Sequence, residues 1–329
     1  MEWNSTISPL INNIFLLFAI LGFASLAGYF CEQMGIVNIA IDGQMIFGAL
    51  IYSIFGMIFN QALPDVGGMF FLIPLILSMI FSMLLSFIFG FLTIKLKTNH
   101  IIAGTAINLL VAGLAAFLTK PIGQAISSGL KSKIISYFSP TMQIAGSSLF
   151  GETIIILVIS LAAMGLLWFL IARTRFGLRF KAVGNNPNAV DAQGLNVYKY
   201  QWIGMMISGA LAAIAGSLFM YGGTEIGSSS QFFEGNVSGL GFLAVAIVVS
   251  GGWKISFIIG STLIFSILNC VFQNQIILNK LGLVDQVGIY ASYIGKAIPF
   301  AFSLVVLAAF SYKNVAPKFL GQNFDKSLR

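Results

Sequence analysis

Apolar runs of roughly 20 residues recur along the chain, broken by short polar or glycine-rich stretches, and this alternation predicts membrane-crossing helices. Nine spans are expected, at about residues 11–31, 45–59, 69–94, 101–119, 153–172, 202–221, 240–250, 255–272 and 290–310. The predicted fold class is all-α, a polytopic transmembrane helical bundle forming a single domain over residues 1–329. The interruption between the first two spans has its own character. Asn38, Asp42 and Gln44 break apolar sequence there and Gly35 and Gly43 bracket them, which predicts a broken or re-entrant helix near residues 32–44 that lines a cavity. The seventh span is short, and Gly251-Gly252 after it predict a tight corner.

The densest charged stretch is residues 173–200, RTRFGLRFKAVGNNPNAVDAQGLNVYKY, with five cations and one acid, Asp191. Within it Asn186 is placed to N-cap a helix, Pro187 suits the first helical position, and Gly194 supplies a left-handed stop. About two turns fit between them, too few to persist in water without packing on something. Alternating the spans places Lys95, Lys97, this island, Lys254 and the tail residues Lys313, Lys318, Lys326 and Arg329 on one side. The other side holds Lys120, Lys131, Lys133 and Lys280 together with Asp65, Glu152, Glu225, Glu234 and Asp285. By the positive-inside rule the island is a cytosolic loop and the C-terminus is cytosolic, and an odd span count puts the N-terminus outside. Residues 120–151 then form an extracytosolic loop. Its Leu130, Ile134, Tyr137 and Phe138 share one helical stripe, suited to a helix on the membrane surface or to docking of another protein.

With 58 % hydrophobic and 8 % charged residues, the chain is excluded from the water-soluble globules. The N-terminus lacks a signal-peptide pattern, so the first span is expected to be retained. A net charge of +7 invites nucleic acid, but the cations are scattered among loops and no nucleic-acid role is expected. Cys31 and Cys270 lie in or beside apolar spans and suggest neither a disulfide framework nor a metal site. His100, the sole histidine, reads as an interfacial spacer. Gly288 and Gly295-Lys296-Ala297 lack P-loop spacing and a following Ser or Thr, so phosphates are not cradled here. No catalytic residue and no cofactor is expected on this chain.

Polar groups inside the spans carry whatever chemistry remains, since an unpaired charge near the bilayer centre costs about 2.5–3.5 kcal/mol even on the most lenient scale. Two roles are open to Asp42: capping the second span at the cytosolic surface, or lining a path with Asn38 and Gln44. Asn108 in the fourth span and Asn269 in the eighth either bond across helices or line that path. Lys296 pairs with an acid or snorkels to the headgroups.

Three blocks, CEQMGIVNIAIDGQMIFGA, RTRFGLRFKAVGNNPNAVDAQGLNV and GLGFLAVAIVVSGGWK, resemble in order the permease subunits of ATP-driven importers of branched-chain amino acids, ribose-type simple sugars and nucleosides. The GIVNIAIDGQM wording is most similar to the nucleoside or simple-sugar branch. The resemblance implies half of a translocation path in a prokaryotic cell membrane. It also implies a second, non-identical permease, ATP-binding subunits carrying ATP and Mg, and an extracytosolic substrate-binding protein or lipoprotein. The island becomes the coupling loop, with Arg179, Asn186, Pro187, Asn188, Ala189, Asp191 and Gly194 facing the ATPase; Asn38, Asp42, Gln44 and Asn108 become the candidate path. The other readings are an importer permease for branched-chain amino acids and, from a different class, an ion-coupled secondary transporter. Beyond Asp42, however, the spans offer almost no carboxylate to bind a driving ion.

Overall fold

The computed structural model describes residues 2–62, 72–126, 149–222, 233, 235–273, 291–310 and 316–326. Its helices are α1 (Glu2–Glu32), α2 (Ile41–Ala62), α3 (Leu72–Gly90), α4 (His100–Ile126), α5 (Leu149–Arg173), α6 (Arg175–Asn185), α7 (Pro187–Ala192), α8 (Val197–Gly222), α9 (Leu240–Ser250), α10 (Ile255–Gln273) and α11 (Ala291–Phe310). A π-helical turn, Phe91–Lys95, continues α3. Every expected span falls on one of these helices. Seven of them are long and apolar enough to cross a membrane, and the chain is a multi-pass membrane protein.

Burial sorts the helices into a centre and a periphery. The apolar window of α1 is 89 % buried and that of α8 is 78 % buried, against 17 % for α5. Small residues on α8 let α2 lie directly on it: a Cβ added to Gly48 would sit 2.6 Å from the Ala213 Cα. On α3, Ser78, Ser82 and Ser86 recur every fourth residue on the buried face, and the Ser78 and Ser217 hydroxyls meet at 2.9 Å. Outward faces of α3, α4, α5 and α10 are lined by exposed Leu, Ile and Phe, the surface that lipid covers.

Three departures from the sequence reading bear on function. The charged island holds two helices, because Thr174 caps α6 by accepting from the Gly177 N–H at 3.3 Å before α7 begins. Helix also advances into the expected loop 120–151 from both ends, and the stripe Leu130–Phe138 lies outside the described residues. Last, among the described residues the helices are interrupted at two places inside the bundle. Besides the break at 33–40, residues 235–239 are non-helical and lie deep along α4, where a Cβ on Gly235 would come within 2.8 Å of the Ala116 amide. Ala116 is sixteen residues, or about 24 Å, along α4 from His100. The eleven residues of α9 therefore make about 16 Å of helix, half a crossing.

Candidate functional site

The connection from α1 to α2 enters the bundle instead of turning at its surface. Val37 donates its N–H to His100 Nδ1 at 3.4 Å, at the first residue of α4. Only a few residues later the chain meets Asn108, eight residues and about 12 Å further along that helix. The first turn of α2 thus starts within the apolar layer, where its free N–H groups have no water to bond. Asn108 answers them from α4: its Oδ1 accepts from the Gly43 N–H and its Nδ2 donates to the Ile39 carbonyl, both at 2.8 Å.

The start of α9 is met in the same way. Asp42 Oδ1 accepts from the Gly241 N–H at 3.0 Å, so a carboxylate on α2 closes the N-terminus of α9, where the helix dipole also favours negative charge. Gly241 is required by this approach, since a Cβ there would overlap the Asp42 backbone. Asn108 and Asp42 form a relay in which each helix supplies the cap of the next, α4 to α2 and α2 to α9. Asp42 belongs to the first turn of α2, as one sequence reading had it, but the helix it caps is α9 and the place is the interior rather than the cytosolic surface.

Asn38 and Gln44 behave differently. Both are fully buried; Asn38 Nδ2 donates to Gln44 Oε1 at 3.2 Å and to Ser208 Oγ at 2.8 Å. Ser82 Oγ donates to the Gln44 carbonyl at 3.3 Å, and Ser86 lies against Gly209, beside Ser208. Among the described residues Asn38 Oδ1, Gln44 Nε2 and Ser86 Oγ find no partner. Turning both amides over only exchanges which residue keeps the spare donor and which the spare acceptor. Five side chains from α2, α3, α8 and the break so form an uncharged polar cluster in an apolar interior, with unmet bonding capacity.

Sequence reasoning named two of these five. The serines were missed, although their spacing at 78, 82 and 86 in an otherwise apolar helix was the available signal. Among the described residues no three His, Cys, Asp or Glu side chains come together, and Cys31 and Cys270 are buried free thiols.

At the end of the bundle where the break begins, the island helices pack against it. Asn186 Oδ1 accepts from the Ala189 N–H at 3.1 Å, Pro187 is the first residue of α7, and Gly194 closes it at φ +76°, as the residue types predicted. Pro187 and Val190 face inward while Asn188, Ala189 and Gly194 face out, Asp191 is half-buried, and Arg179 on α6 is exposed. Gly184 of α6 seats directly on the Gln33 carbonyl, where any Cβ would overlap it. The segment Ala316–Lys326 crosses this end of the molecule and ties it together. Phe319 N–H donates to the Gly184 carbonyl at 2.9 Å and Gly321 N–H to the Gly35 carbonyl at 2.8 Å. Asn323 bonds both His100 Nε2 at 2.8 Å and the Lys97 carbonyl at 2.7 Å. Asp325 pairs with Lys97 at 2.5 Å, and Lys326 with Asp191 at 3.6 Å. His100 is accordingly a buried tie between loops and not the interfacial spacer its isolation suggested.

A bundle of apolar spans that carries interrupted helices and uncharged polar side chains at its centre, with short amphipathic helices at one end, is the form of a membrane transport protein. The chain belongs to the family described as branched-chain amino acid transport system / permease component, which matches residues 10–310, and it is a transport subunit rather than an enzyme. It is 38 % identical over 311 residues to the uncharacterised protein MG121 of Mycoplasma genitalium, covering 93 % of this chain and 94 % of that one. It is 29 % identical over 330 residues to the nucleoside ABC transporter permease protein NupC of Lactococcus lactis subsp. cremoris, 98 % of each chain. The guanosine ABC transporter permease protein NupQ of Bacillus subtilis is 29 % identical over 310 residues, 93 % of this chain and 92 % of that one. No solved structure matches.

Proposed function

We propose that the protein is the permease subunit of an ATP-driven importer and forms half of the path for nucleosides or related simple sugars. The observation that carries the substrate class is the cluster of Asn38, Gln44, Ser82, Ser86 and Ser208, whose spare donors and acceptors are all uncharged. Hydroxyls and base amides are neutral and need such partners, whereas an amino-acid zwitterion needs countercharges. The two buried carboxylates near it are both taken by the fold, Asp42 by the Gly241 N–H and Glu32 by the Trp253 indole. The relatives named for nucleoside and guanosine transport support the same reading.

Energy reaches the path from a separate ATPase, which holds the ATP and Mg. The exposed side of α7, with Asn188, Ala189 and Gly194, together with Arg179 on α6, is the surface that the ATPase grips. Movement of α6 is passed through the Gly184–Gln33 contact to the break at 33–40 and so to Asn38. The basic end of the bundle, with the island and the C-terminal tail, faces the cytosol, and residues 120–151 face the substrate-binding protein or lipoprotein outside. A second, non-identical permease completes the path.

The coupling surface is tested with Ala189→Trp, which adds bulk to the outward face of α7 and leaves the buried Pro187 and Val190 in place. ATP-dependent uptake by the reconstituted complex is expected to fall to background while membrane insertion and subunit assembly persist. Unchanged uptake contradicts the assignment. Uptake by the purified chain alone, driven by an ion gradient, would identify a secondary transporter instead.

A further inference from the structure

A cavity of about 230 Å³ opens where α5, α6 and the α9–α10 corner meet, at the end of the bundle that holds the island. Its walls include Trp168, Lys181, Trp253, Lys254 and Ser256, with Tyr29 of α1 among its lining residues. Neither lysine takes part in a salt bridge among the described residues, where the ion pairs are Lys97–Asp325 and Lys326–Asp191. Lys254 Nζ lies 5.6 Å from the centre of the Phe257 ring, on the outward face of α10. Two lysines, a serine and two tryptophans thus line one hollow.

The wall is held in place at a cost. Trp253 has φ +54°, a left-handed conformation that is strained for a bulky residue, and it follows Gly252 at φ +59°. Two bonds to the end of α1 fix it there: Trp253 Nε1 donates to Glu32 Oε2 at 2.5 Å, and Gln33 Nε2 donates to the Trp253 carbonyl at 3.3 Å. The Glu32 carboxylate is thereby occupied by the indole and is itself buried. The hollow borders apolar surface that lipid covers, including Phe169 at 53 % exposed on α5 and Phe257 at 63 % exposed on α10. Tryptophan and lysine together at the rim of an apolar surface mark the headgroup level of a bilayer.

We propose that this cavity is a binding site for the phosphate-bearing headgroup of an anionic phospholipid. Lys181 and Lys254 hold the phosphate, Trp168 and Trp253 flank it, and the acyl chains run along the outward faces of α5 and α10. The lipid bridges α6 to the α9–α10 corner. It therefore reaches the island by a route separate from the polar cluster, and the proposal stands on observations independent of the substrate assignment.

The test is lipid retention by the full-length protein reconstituted in phosphatidylcholine bilayers containing phosphatidylglycerol, then released and read by native mass spectrometry. Wild-type protein should retain phosphatidylglycerol over phosphatidylcholine, and the double variant Lys181→Gln/Lys254→Gln should lose that preference by roughly tenfold or more. Lys95→Gln/Lys199→Gln, two exposed lysines at the same end but outside the cavity, should keep it. Equal retention by wild type and the cavity variant overturns the proposal, as does equal loss in the control pair, which would show a diffuse basic surface. Added inorganic phosphate separates the two sources of the anion: a cavity that takes free phosphate and shows no preference for the anionic lipid also overturns it.

Discussion

Asp42 and Asn108 each close the N-terminus of a neighbouring helix, whereas Asn38 and Gln44, in the same buried neighbourhood, bond to one another and to Ser208 and still keep a donor and an acceptor unmatched. All four look alike in sequence, as polar residues in apolar surroundings. Their partners differ in kind. A helix that starts inside the apolar layer leaves backbone groups that must be bonded by something, and a side chain meeting that demand is spent on structure. A side chain whose capacity exceeds what the fold uses is available to a passing ligand. For the path proposed above, completeness of hydrogen bonding, rather than polarity or burial, is what distinguishes Asn38 and Gln44 from the scaffold residues Asp42 and Asn108.

The largest effect expected from breaking this contrast is at Asn108. Asn108→Leu leaves both the Gly43 N–H and the Ile39 carbonyl unbonded, and at about 1–3 kcal/mol for each stranded group the loss is about 2–6 kcal/mol. Thermal denaturation of the purified protein measures it, and a stability close to wild type would remove Asn108 from the scaffold.

Asp42 ranks next, because it serves one backbone group. Asp42→Leu should cost about 1–3 kcal/mol, and Asp42→Asn, which keeps an acceptor for Gly241, should cost clearly less. Uptake by Asp42→Asn sharpens the comparison: a scaffold residue tolerates the change, so abolished uptake at unchanged stability would move Asp42 to the path.

Much of this architecture was legible in the residues. Length and hydropathy placed the spans, and the 240–250 assignment matches α9 because Gly239 and Gly251 punctuate an unbroken apolar run. Asn186, Pro187 and Gly194 gave α7 because capping is local chemistry, written within nine residues. The interruption at 33–40 announced itself by polar residues. That at 235–239 did not, because glycine, serine and asparagine in a polar stretch look the same at a surface as beside the α4 backbone. Which helix Asp42 caps was likewise out of reach, since Asp42 and Gly241 are separated by 199 residues. The serines of α3 show the remaining limit, for a hydroxyl bonded to its own helix and one aimed at a ligand have the same letter. The two-helix form of the island was written in the residues but passed over: Phe180, Val183 and Gly184 share one face at helical spacing, interleaved with the Arg and Lys that made the stretch read as charge.

The measurement that bears most directly on the central claim is paired stability and uptake for Asn38→Leu/Gln44→Leu. Replacing both amides by apolar side chains removes the spare donor and acceptor together and leaves only the Ser208 hydroxyl without its donor, so the folded state should lose no more than about 1–3 kcal/mol. ATP-driven uptake of a nucleoside should drop by roughly tenfold or more, the worth of a lost recognition bond. Normal uptake, or an unfolding as severe as that of Asn108→Leu, would contradict the division between scaffold and path.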